Sequence, residues 1–191
     1  MLDTNNGFIV KIDSWDYNTL LNDYEICNKI KHVNVMKPFC YFEFEFDILS
    51  YLDDNKNHNE MFEDISVIIS PYYIHVRDFL TDKSVILQII YFLYMIFFKH
   101  GIGFKKINID NIYIDVVDRP KNIKYVFNDV SLSVKTKHIV IFDDFCNCSK
   151  TMDANFLIPN VKIVSDYLLK DLDIDGKEPM EILTEINYFL D

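Results

Sequence analysis

The sequence predicts an α+β fold, with a small sheet-containing half ahead of a mainly helical half. Three observations support that expectation. Short alternating or β-branched runs cluster before residue 72, one long apolar run fills residues 85–98, and strand-like pieces and short helices close the chain. Of the 191 residues, half are apolar and 15% aromatic, which is material for one domain with a hydrophobic core and excludes a disordered chain.

Residues 7–12 (GFIVKI) read as a short strand. Residues 16–30 set Leu20, Leu21, Tyr24, Ile26, Cys27 and Ile30 close to a helical stripe. FCYFEFEFD, at 39–47, alternates aromatic and acidic residues as a half-buried strand does. LDDNKNHNE, at 52–60, is polar and turn-rich, a loop. The β-branched run ISVIIS, at 65–70, predicts a buried strand ended by Pro71. VILQIIYFLYMIFF, at 85–98, predicts a buried helix over 83–99, halted by the glycines of HGIGF. It falls short of the ~20 residues that cross a bilayer, and Gln88 interrupts it. Strands are expected at 111–116, 122–127 and 138–142, and one or two short helices over 161–191 around the acidic turn DLDIDGKEP. That turn matches the first half of a calcium loop, but Pro179 and Ile182 occupy its ninth and twelfth positions, so an acidic loop is the expectation.

The formal net charge is -11, and Arg77 and Arg119 are the only arginines. Phosphate contacts from Lys and Arg dominate nucleic-acid affinity, so neither nucleic acid nor an anionic membrane is expected as a partner. A basic protein partner, or no charged partner at all, fits the charge better. Cys27, Cys40, Cys146 and Cys148 lack zinc spacing, and the N-terminus shows no signal-peptide pattern, so reduced thiols in a cytoplasmic compartment are expected. The five histidines are scattered and form no metal motif. Ala154 is the only alanine, while Ile, Asn, Asp, Tyr, Phe and Lys are abundant. That bias points to an AT-rich gene, from a large DNA virus or an AT-rich protozoan.

After the apolar helix come His100-Gly101-Ile102-Gly103, Phe104-Lys105-Lys106-Ile107 and Asn108-Ile109-Asp110-Asn111-Ile112. This stretch resembles the protein-kinase catalytic loop H-G-x-x-H-R-D-L-x-x-x-N, in which the aspartate orients and deprotonates the acceptor hydroxyl and the asparagine holds a metal ion. Asn111 keeps the asparagine, Phe104 stands at the histidine, and Lys106 stands at the aspartate. A lysine ammonium does not accept a proton near neutral pH. Lys11 in FIVKI resembles the strand lysine of V-A-I-K, with Glu25 fourteen residues on as its implied partner. Asp143 and Asp144, before Phe145, resemble the Asp-Phe-Gly aspartate in two alternative registers, and the glycine is absent. The long stretch between Asn111 and Asp143 is similar in layout to the hairpin insertions of kinase-like proteins of large DNA viruses.

The resemblance implies a single kinase-like domain over 1–191, with a reduced N-terminal sheet lobe over about 1–72 and a truncated, mainly helical C-terminal lobe over about 73–191. It implies a catalytically inactive binding, scaffold or regulatory module without a cofactor. The partner it implies is a true kinase or a viral protein, in the host cytoplasm or the virion. Two alternatives stand beside it. One is a divergent Ser/Thr kinase that still binds ATP and magnesium through Lys11, Glu25, Asn111, Asp143 and Asp144, and the other is a virion structural protein. Each residue also has a plain structural reading: Lys11 and Glu25 as surface charges, Asn111 as a turn residue, and Asp143 and Asp144 as a strand-end turn.

Overall fold

The computed structural model describes residues 7–13, 17–47, 62–143, 145–167, 173–174 and 176–190. The expected loop at 52–60, Asp144 and two acids of the acidic turn, Asp171 and Asp175, lie outside the described residues. The architecture is mixed α+β, with three small antiparallel sheets and four α-helices among the described residues. The chain divides into two compact units, Met1–Tyr72 and Tyr73–Asp191.

The first unit is built on strands β1 (Phe8–Asp13), β2 (Cys40–Asp47) and β3 (Phe62–Pro71), with helix α1 (Tyr17–Lys29) between β1 and β2. The strand order is β1-β3-β2, and both pairings are antiparallel. As the central strand, β3 is buried on both faces, at Ser66, Val67, Ile68 and Ser70. It begins three residues before the expected 65–70 and runs one residue beyond, where Pro71 pairs with Phe8 at the sheet end and its missing N–H costs nothing. Helix α1 buries Leu20, Asp23 and Cys27, with Ile30 just beyond it, a three-to-four-residue spacing that keeps one stripe inward. The Lys37 ammonium closes the end of α1, donating to the carbonyls of Cys27 and of Ile30 (2.6 Å), where the helix leaves acceptors unpaired.

The second unit is organised around helix α2 (Lys83–His100). Asp82 caps its start, accepting from the Ser84 N–H at 2.8 Å. Gly101 ends it at φ 62°, in the left-handed region where glycine escapes the Cβ clash, and its N–H reaches the carbonyls of Ile96 and Phe97. Between these caps, Val85 to Phe97 are buried almost without break. By length and composition α2 could span a membrane, yet two thirds of it is buried inside the protein. Gln88 is the polar residue that interrupts the apolar run, and it is satisfied there. Its amide donates to the carbonyls of His138 (2.7 Å) and Ser84 (3.0 Å), and its oxygen accepts from the Val140 N–H (3.1 Å).

Across α2 lies a long hairpin of β6 (Ile112–Phe127) and β7 (Val130–Phe142), joined by Asn128 and Asp129, with Asn128 at φ 47°. The sequence predicts strands at 111–116, 122–127 and 138–142, with a hairpin layout between Asn111 and Asp143. The intervening stretches continue the ladder through an irregularity between Val116 and Lys121, where Pro120 cannot donate. One face of the hairpin inserts Tyr125 and Phe127 against Tyr91 and Tyr94, with ring centroids 5.5 and 6.1 Å apart. Strand β4 (Ile74–His75) pairs antiparallel with the start of β6, and the short β5 (Ile102–Phe104) pairs with β8 (Cys148–Lys150). Helices α3 (Ile158–Ser165) and α4 (Pro179–Leu190) complete the unit, and Tyr94 donates to the Pro179 carbonyl at 2.6 Å.

Candidate functional site

The loop after β5 is fixed from several sides. Gly103 lies so close to Phe156 and Thr151 that an added Cβ would stand 2.6 Å from the Phe156 Cβ, a clash with the root of a side chain. Phe104 is buried and stacks among Phe142 (6.1 Å) and Phe145 (5.7 Å), and Phe92 joins the same cluster. The Lys105 N–H donates to the Asn147 carbonyl at 3.0 Å. Buried Asn160, on α3, accepts from the Ile107 N–H at 2.6 Å and donates to the Phe104 carbonyl at 2.8 Å and the Phe156 carbonyl at 2.9 Å. One side chain thus satisfies the backbone on both sides of Lys105 and Lys106, which are exposed.

Downstream, the Asn108 carboxamide accepts from the Asp110 N–H at 3.1 Å and opens a single 3₁₀ turn that ends at Asn111. Arg77 pairs with Asp110 on the outside of this turn. The Asp143 N–H donates to the Asn111 carbonyl at 3.2 Å, so Asn111 and Asp143 come together at the base of the hairpin. Asp143 is 3% exposed, and Phe145 is fully buried. Lys106, Asn108 and Asn111 line a depression floored by Phe104, Ile107, Ile112 and Phe142, with room for about one water. A pocket for a small organic ligand needs about 300 Å³ or more.

In the first unit, Lys11 donates to Asp23 at 2.7 Å. The spacing suggested Glu25 as its partner, but Glu25 is exposed and Asp23 takes the pair. Helix phase explains the difference. Two residues turn an α-helix by about 200°, so when Asp23 shares the inward stripe with Leu20 and Cys27, Glu25 must point away. Asp23 is 3% exposed at its side chain, and its other oxygen faces the Cys27 thiol at 3.8 Å.

Of the expected site residues, Asn111 and Asp143 are adjacent and Lys106 stands exposed on the same loop. Lys11 is paired within the first unit, and Asp144 lies outside the described residues. The sequence reading missed Asp23 and Asn160. The phase of α1 signals the first; no local pattern signals the second, which acts across 53 residues of chain. Among the described residues, no three His, Cys, Asp or Glu side chains gather to hold a metal ion. No protein-family model and no curated protein matches this chain.

Proposed function

We propose that the chain is a catalytically silent, kinase-like binding module. The observation that carries this reading is Lys106 on the exposed rim of a loop whose neighbours Phe104 and Ile107 are held by buried contacts. The resemblance aligns Lys106 with the kinase base, and an ammonium there is on the wrong side of the proton transfer. Two further observations support it. A strand lysine pairs with a carboxylate on the next helix, the type of pair kinases use beside the nucleotide phosphates. A hairpin separates Asn111 from Asp143 and returns the chain to the same point. On this reading the protein works by presenting surfaces to a protein partner, such as an active kinase or a viral protein.

The test is phosphate transfer from ATP and magnesium to the protein itself and to a generic acceptor protein. Background transfer is expected. Transfer that disappears in Asn111→Ala would overturn the proposal.

The Lys11–Asp23 pair favours a second reading, in which nucleotide binding outlives the chemistry. Lys11 would then meet the phosphates. A ligand that binds the native state raises the unfolding midpoint, so a thermal shift at millimolar ATP and magnesium supports this reading and its absence rejects it.

A further inference from the structure

The charge of this protein is not evenly spread. Residues 119–138 contain Arg119, Lys121, Lys124, Lys135 and Lys137 against a single acid, Asp129, while Asp115 and Asp118 stand earlier on the same hairpin, at the other end of β6. This local balance of +4 within a net charge of -11 leaves -15 on the remainder. All five cations are exposed, and all lie on the β6–β7 hairpin. Its inner face, with Ile123, Tyr125, Phe127 and Val134, is buried. Alternation along the strands therefore places Asn122, Lys124 and Val126 on the outer face of β6, and Ser131, Ser133, Lys135 and Lys137 on that of β7.

Register turns these lysines into a row. Lys124 faces Ser133 and Asn122 faces Lys135, so Lys124 and Lys135 are diagonal neighbours about 7–8 Å apart. Lys135 and Lys137 are two residues apart on one strand, about 7 Å. Same-face side chains of any extended peptide repeat at this distance.

We propose that the outer face of the β6–β7 hairpin binds an extended acidic segment of a partner protein, with carboxylates at every second residue. Nucleic acid fits less well. Beside Lys124, Lys135 and Lys137 the outer face offers no ring for a base to stack on, since Tyr125 and Phe127 are turned inward and buried. A long polyanion would also run off the short patch onto a remainder carrying -15. A short segment stays within the patch, because charges screen over about 8 Å at physiological salt. A second copy of the chain brings its own net -11 to the encounter. This inference stands on the hairpin alone and does not need the kinase-like reading.

Fluorescence anisotropy on the full chain tests it. The probes are a labelled 12-residue Glu-Thr repeat, a peptide of the same composition with its glutamates in one block, and a 20-base-pair duplex DNA. The repeat is expected to bind best and to weaken as salt rises. Reversing Lys124, Lys135 and Lys137 to Glu, or neutralising them to Gln if the reversed protein does not fold, should weaken it about tenfold or more. Reversing Lys31, Lys83 and Lys162 changes the net charge equally and should have little effect. Equal loss in that control, tighter binding of the block peptide or the duplex, or no binding of the repeat would each overturn the proposal. A salt-sensitive dimer in sedimentation, lost on reversing the hairpin lysines, would make a second copy the occupant and overturn it too.

Discussion

Replacing Lys11 with Met should destabilise the first unit by about 2–3 kcal/mol. A pair broken in a fully buried setting costs ~3–5 kcal/mol, and an exposed pair is worth ~0–1 kcal/mol. Asp23 is 3% exposed and Lys11 24%, so the pair lies between these limits and nearer the buried one. Methionine keeps most of the aliphatic stem, so the loss reports on the ammonium rather than on packing. The assay is urea unfolding followed by circular dichroism, with amide exchange across α1 to assign the loss to the first unit. A double-mutant cycle sharpens it. Lys11→Met and Asp23→Asn should couple by about 1–3 kcal/mol, whereas Lys11→Met and Glu25→Gln should add without coupling. Coupling to Glu25 and not to Asp23 would refute the helix-phase argument.

Other substitutions test the second unit. Gly103→Ala should cost about 1–3 kcal/mol in urea unfolding, since its Cβ has no room beside Phe156 and Thr151. Asn160→Leu should cost about 2–4 kcal/mol by leaving the Ile107 N–H and the Phe104 carbonyl unpaired in the interior, and exchange at the Ile107 amide should speed up. Burial alone would raise the Asp82 pKa, but hydrogen bonds from His138 and Ser84 outweigh it and hold the carboxyl below its usual value. Its stabilisation is therefore complete above pH ~4 and is lost as the pH falls through the lowered folded value. Asp82→Ala should cost about 1 kcal/mol at neutral pH, and the gap to the native protein should close in acid.

How legible each part was depends on the range of the interactions that make it. Helix α2 could be read almost to the residue, because an apolar run and the glycines that stop it are local signals. The β6–β7 hairpin was legible in layout but not in register, because Val116 to Lys121 breaks the alternation and Lys135 to Lys137 looks polar until its partner strand is known. Lys11 lies on a strand as expected, but its partner depended on helix phase. Asn160 was invisible because it is defined by backbone groups in a distant loop. The total charge concealed the basic hairpin, since a global sum carries no register.

The proposed silencing of an otherwise ordered loop by Lys106 makes a kinetic prediction. It is tested most directly by single-turnover phosphate transfer from ATP and magnesium with the protein in excess. Protein kinases turn over at about 1–100 per second, and a missing base removes about 10²–10⁴-fold. Transfer between about 10⁻⁴ and 1 per second, or none at all, is therefore predicted. Transfer at about 10–100 per second that is lost in Asn111→Ala would contradict silencing by Lys106.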